Sequence, residues 1–96
     1  MKRHTADELL EMLGNYVFHD NVKGCGKNAR IRHYEFGETM RSYSTLMRIQ
    51  IIDDVYYNGN QSYYTRTTRK HLKNAYGVSY ADIQAYIQAH PNRAFC

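Results

Sequence analysis

The chain has no tryptophan, a single proline, two cysteines and no long apolar run. A membrane span needs roughly 20 apolar residues and a signal peptide a stretch of about 7–15, and neither is present. Two cysteines are too few for a secreted disulfide framework, so Cys25 and Cys96 read as reduced thiols in a cytosol. Aliphatic residues are also scarce. Leu, Ile, Val and Phe number 18 of 96 residues, close to the level of about 20% at which disorder sets in. Disorder also asks for high net charge and few aromatics, whereas this chain carries +4 and 14% aromatic residues, ten of them tyrosine. The expectation is one folded domain over residues 1–96, with tyrosine supplying part of the core.

Local signals outline an α+β fold. Thr5-Ala6-Asp7-Glu8 is a capping box, and Leu9, Leu10, Leu13, Tyr16 and Val17 recur at helical spacing, predicting a helix that ends near Phe18–Asp20. Residues 20–28, rich in Gly and Asn, read as a mobile loop carrying Cys25. Ala29 to Phe36 reads as a strand. Tyr43 to Ile52 is the clearest one, with Tyr43, Thr45, Met47, Ile49 and Ile51 on one face and Leu46 and Ile52 out of pattern. Val55-Tyr56-Tyr57 and Ser62-Tyr63-Tyr64-Thr65 extend the meander. Thr67 or Thr68 caps a second helix ending at Gly77, and Ser79 with Asp82 opens a third that Pro91 terminates. The sum is a small antiparallel sheet of three to four strands, with an N-terminal helix and two C-terminal helices on one face. The strand Tyr43–Ile52 offers an edge for pairing with a second copy.

Charge is distributed unevenly. No acidic residue occurs between Val55 and Ala81, where Arg66, Arg69, Lys70, Lys73 and His71 interleave with Tyr56, Tyr57, Tyr63, Tyr64, Tyr76 and Tyr80. Basic groups contact phosphate and tyrosine rings stack on unpaired bases, so this tract has the make-up of a nucleic-acid binder. Arg30, Arg32, Arg41 and Arg48 extend it if they share an open sheet face. The capped start of the second helix, flanked by Arg66, Arg69 and Lys70, is a candidate anion site. The bland alternative is a solvated helix face with the tyrosines in the core. On the sequence, Tyr16, Tyr43, Tyr76 and Tyr86 fall on apolar faces, and Tyr56, Tyr57, Tyr63 and Tyr64 gather beside the arginines.

Catalysis and metal binding lack their signatures. There is no G-x-S-x-G, P-loop or H-E-x-x-H motif, and His19, Cys25 and His33 have no ligand spacing, so no catalytic residue, metal or cofactor is expected.

Ser42-Tyr43-Ser44-Thr45-Leu46, then Tyr56-Tyr57-Asn58, then Tyr63 to His71 resemble a group of short bacteriophage proteins with "SYxTxI" and "YYSxTTSxH" segments. The similarity covers about Arg41 to Leu72; Thr65 and Arg69 depart from it, since the group usually has Ser at both. The resemblance implies a phage or mobile-element protein at work in a bacterial cytosol. By analogy with small phage accessory proteins, it is expected to bind and block a host protein or ribonucleoprotein, for example a CRISPR-Cas defence complex, without chemistry. The alternative is direct binding of RNA or DNA. In either case Tyr63, Tyr64, Arg66, Arg69, Lys70 and Lys73 are the expected contact residues.

Overall fold

The computed structural model describes residues 3–96. The capping box forms as expected: Thr5 Oγ1 accepts from the Glu8 amide at 3.2 Å and Glu8 Oε1 accepts from the Thr5 amide at 3.2 Å. The helix it starts, α1 (Ala6–Met12), is shorter than its periodicity predicts. Gly14 stops it. This residue has φ +77°, and a Cβ there would lie 2.5 Å from the Glu35 carboxylate and 3.0 Å from the Phe36 ring. The next residues, aromatic and β-branched, form strand β1 (Tyr16–Asn21) instead of two more helical turns.

Four further strands follow in meander order: β2 (Ala29–Tyr34), β3 (Gly37–Ser42), β4 (Thr45–Ile51) and β5 (Asp54–Asn58). The helices α2 (Arg66–Tyr76) and α3 (Tyr80–Ala89) come next, and β6 (Ala94–Phe95) closes the chain beside β5. The sheet therefore has six strands in the order β1-β2-β3-β4-β5-β6, all neighbours antiparallel except β5 and β6. The expectation of three to four strands misses β1, which reads as helix, β3, which lies between the two expected strands, and β6, which is too short to show a period; Ser62–Thr65, expected to be extended, instead holds a 3-10 turn (Gln61–Tyr63) and the cap of α2.

Helices cover both faces of the sheet, not one. Leu9 of α1 and its C-cap Leu13 pack with Ile49, Ile51, Tyr56 and Phe95. Leu72 of α2 and Ile83 of α3 pack on the other side with Ala29, Met40, Met47 and Tyr57. A bulge in β4 makes this division possible. Met40 pairs with Arg48 and Arg41 with Leu46, so Met47 is the inserted residue. Two side chains in succession then share a face, and the alternation changes phase. Leu46, Ile49 and Ile51 point toward α1, whereas Met47 and Arg48 point toward α2. The strand pattern that placed Met47 with Ile49 and left Leu46 out is corrected by this one insertion.

Arg48 is buried as a result. Its guanidinium lies 3.8 Å from the centroid of the Tyr76 ring, donates to Gln50 Oε1 at 3.0 Å and faces the Glu38 carboxylate at 3.9 Å. Tyr76 donates to the same carboxylate at 2.8 Å. Burial first, and that hydrogen bond after it, push the Tyr76 phenol upward against the opposing pull of Arg48.

β4 lies between β3 and β5 and has no open edge, so it is not a surface for pairing with a second copy. Both hairpins that flank it place a bulky residue in the left-handed region, Tyr43 at φ 57° and Ile52 at φ 55°. Ile52 is 68% exposed, so its side chain recovers little of that cost. Replacing it with glycine removes a strain of about 1–2 kcal/mol for an L-residue, offset by about 0.5–1 kcal/mol of backbone entropy. Ile52→Gly is therefore expected to raise the denaturant midpoint slightly. A lower midpoint would show that the ring of contacts around Ile52 matters more than its backbone.

Candidate functional site

Of the six residues expected to make contact, Tyr64 is buried and the other five are exposed. Tyr64 is only 2% exposed. Its ring packs edge-on against Tyr80 at 5.4 Å, its hydroxyl is buried with no hydrogen-bond partner among the described residues, and burial pushes the phenol upward. Arg69 is engaged within the fold: Nε donates to the Tyr64 carbonyl at 2.9 Å and the guanidinium lies 4.0 Å from the Tyr80 ring centroid. Lys73 reaches the Gly77 carbonyl at 3.4 Å, at the end of α2. Arg69 and Lys73 are nonetheless exposed, as are Tyr63, Arg66 and Lys70. The tyrosines divide only partly as expected: Tyr63 is exposed and Tyr76 and Tyr86 pack on the core, but Tyr16, Tyr43, Tyr56, Tyr57 and Tyr64 are reversed. Tyr56, Tyr57 and Tyr64 are core, Tyr76 and Tyr86 are half-buried against it, and Tyr16 and Tyr43 stand in solvent.

The start of α2 is built by a residue upstream of the predicted cap. Thr65 is the N-cap, accepting from the Thr68 amide at 3.3 Å. That frees Thr68 to turn inward, where its hydroxyl is 3.0 Å from Ser42 Oγ. Ser42 Oγ also meets His71 Nδ1 at 2.8 Å. The segments Ser42-Tyr43 and Thr65 to His71, far apart in sequence, thus join in one buried polar knot between β3 and α2. His71 is tied to a serine hydroxyl, not to the backbone carbonyl a helix-start histidine commonly finds. A serine–histidine pair invites comparison with a nucleophile and its base, but both residues are shut away.

His71 is 4% exposed, and burial, with Lys70 as a smaller cause, holds its imidazole below the ordinary value of 6.5. A histidine whose pKa is lowered by folding stabilises the fold above its unfolded value and loses that contribution as pH falls toward the folded one. The denaturant midpoint is therefore expected to drop as pH is lowered from about 7 toward 5.5. His71→Gln should start lower at pH 7 and show a flatter acid slope; an unchanged slope would remove His71 as the cause.

The loop before β2 differs from expectation as well. Cys25 is buried in the core cluster, with Asn74 Nδ2 3.5 Å from its sulfur. Gly24 and Gly26 beside it have φ of +81° and +59°, which lets the chain fold the thiol inward.

Charge gathers elsewhere, at the β1–β3 end of the sheet. Arg30 and Arg32 stand two residues apart on β2 and so share a face, and Arg41 of β3 lies directly opposite Arg30. With Lys27, Tyr43 and Ser44 they line an open cleft of about 610 Å³. A second hollow continues it past Arg30 and Arg32 to Tyr16 and His19. No acidic side chain lines either, and none of Lys27, Arg30, Arg32 or Arg41 takes part in an ion pair among the described residues. Of the four arginines read from the sequence as an extension, three meet here; Arg48 is turned to the other face by the bulge. Arg-x-Arg on a strand was the legible signal. Tyr16, His19, Lys27, Tyr43 and Ser44 were missed as members because they come from a segment read as helix, a loop and a turn.

Like charges directly opposite on neighbouring strands destabilise a sheet by a few tenths of a kcal/mol. Arg30 and Arg41 hold that arrangement with no carboxylate between them.

Two other surfaces are open. β1 is an edge strand on which Tyr16, Val17 and Phe18 are all exposed. A hollow of about 530 Å³ beside the end of α3 is lined by Arg3, Ile87, Gln88, Pro91 and Asn92, with no convergent charge. Among the described residues no group of three or more His, Cys, Asp or Glu is placed to hold a metal ion, and no helix is long and apolar enough to cross a membrane.

Comparison with protein-family models, curated proteins and solved structures gives no match.

Proposed function

We propose that the protein acts by binding and covering a host macromolecule, without chemistry of its own, and that contact is made to the phosphate backbone of a nucleic acid. The observation that carries this reading is the unneutralised cluster of Lys27, Arg30, Arg32 and Arg41 on one concave face. Arginine meets phosphate with paired hydrogen bonds, and a row of such contacts along a strand fits a linear polyanion better than a single small ligand. The resemblance of residues 41–72 to phage proteins supports a bacterial host as the setting. A ribonucleoprotein such as a defence complex then presents the same chemistry as free RNA.

The exposed apolar residues of β1 favour a second reading, contact with a protein surface by addition to the sheet edge. Affinity capture from bacterial lysate, with and without nuclease treatment, separates the two. The polyanion reading expects captured nucleic acid, and loss of any captured protein once nuclease is added. Proteins retained after nuclease, with no nucleic acid in the untreated sample, would favour the edge strand.

A further inference from the structure

We infer that the cleft selects unpaired nucleic acid, with Tyr43 as the platform on which a base stacks. The inference rests on the reading of the β1–β3 face as a polyanion site and adds to it a preference for strand state.

Tyr43 is an uneconomical residue for its position. It sits at φ 57° in the two-residue connection between β3 and β4, where glycine or asparagine fits without strain. Its side chain is 61% exposed, so the ring is not held there for the core. The backbone that carries it is nevertheless held. The Tyr43 amide bonds to the Asn28 carbonyl, and Arg41 Nη1 donates to the Ser44 carbonyl at 3.2 Å, bracing the turn from the side of the cleft. One side of the ring rests near the His71 imidazole, 5.7 Å between centroids, and that imidazole is anchored by Ser42. An exposed aromatic ring on a held turn thus stands at the mouth of a cleft lined with arginines.

Phosphate contacts alone accept single and double strands alike. A ring that is exposed and adjacent to those contacts adds an interaction that only an unstacked base can make, because in a duplex the base faces are already covered by their neighbours. The opposite end of the face carries Tyr16, whose hydroxyl is 2.9 Å from His19 Nδ1 and whose ring meets Tyr34 edge-on. Between the ends lie the five steps of β2 from Ala29 to Tyr34, roughly 17 Å, the reach of a few extended nucleotides.

The test compares three fluorescent or competing probes on the full chain: a DNA strand of about 12 nucleotides without self-complementarity, the duplex of that strand, and inorganic polyphosphate as a polyanion without bases. Wild type is expected to bind the strand about 10-fold or more tightly than the duplex. Tyr43→Gly should weaken strand binding about 10-fold, the value of one stacked base. It should leave polyphosphate binding unchanged and the fold at least as stable, since glycine suits the backbone. Tyr43→Phe should keep the wild-type preference. Equal loss for strand and polyphosphate, no loss for either, or a wild-type preference for duplex would each overturn the inference. Failure of wild type to bind any of the three probes would sink the polyanion reading as well.

Discussion

Arg30, Arg32 and Arg41 replaced together by alanine are expected to weaken nucleic-acid binding on the order of 100-fold at low salt. Each removed phosphate contact also removes its share of counterion release, about 0.7 in the slope of log affinity against log salt for a single strand. Three lost contacts therefore flatten the plot by roughly two. The same variant should fold normally or slightly better. Arg30 and Arg41 face one another across the β2–β3 ladder, and removing that repulsion returns a few tenths of a kcal/mol. A loss of affinity without loss of stability is difficult to obtain from a merely damaged fold. Arg66 and Lys70, exposed at the start of α2, provide the matched control: their alanine variants should shift affinity much less. Arg48 does not belong in the series, because its charge is buried against Tyr76 and Glu38 and its loss would be felt in the core.

The second large effect concerns the scaffold. A Cβ at Gly37 would lie 1.8 Å from the Gln50 carbonyl oxygen and 2.8 Å from Leu13 Cδ2. Gly37 starts β3, and its partner Ile51 ends β4 in the same ladder. The obstruction is backbone, so no side chain can swing aside; β3 and β4 must separate where α1 packs on them. Gly37→Ala is expected to cost more than about 3 kcal/mol, a large share of the 5–15 kcal/mol typical of a small domain. Gly77 supplies the comparison. It has φ +70° with nothing within 4 Å of an added Cβ, so Gly77→Ala pays only for the left-handed backbone, about 1 kcal/mol. Chemical denaturation of both variants checks the ordering, and a cheaper Gly37→Ala would contradict the ladder geometry.

What could be read in advance follows from how local each signal is. The capping boxes at Thr5 and Ser79 and the glycine end of α2 depend on neighbours within four residues, and all three form as read. The end of α1 depends on Glu35 and Phe36 reaching back to Gly14, a contact across twenty residues that periodicity does not contain. The bulge at Met47 is set by pairing with β3 and inverts the face of every residue beyond it. The tyrosines were sorted by proximity to charge along the chain. β5, however, is an interior strand, flanked by β4 and by a β6 of two residues, so Tyr56 and Tyr57 are covered. The acid-free tract from Val55 to Ala81 is consequently part core and part surface. The denser basic site was legible only as Arg30-x-Arg32, because Arg41, Lys27 and Tyr43 join it through the β2–β3 register and two turns.

The central claim is that the β1–β3 face, not the start of α2, is where the protein meets its target. Amide chemical-shift mapping on the isotopically labelled chain, titrated with a nucleic-acid strand of about 12 nucleotides, reports this directly. The account predicts that the moving resonances cluster at Tyr16, His19, Lys27, Arg30, Arg32, Arg41, Tyr43 and Ser44. Shifts confined to Tyr63, Arg66, Arg69 and Lys70, with the β2–β3 arginines unmoved at saturation, would contradict it.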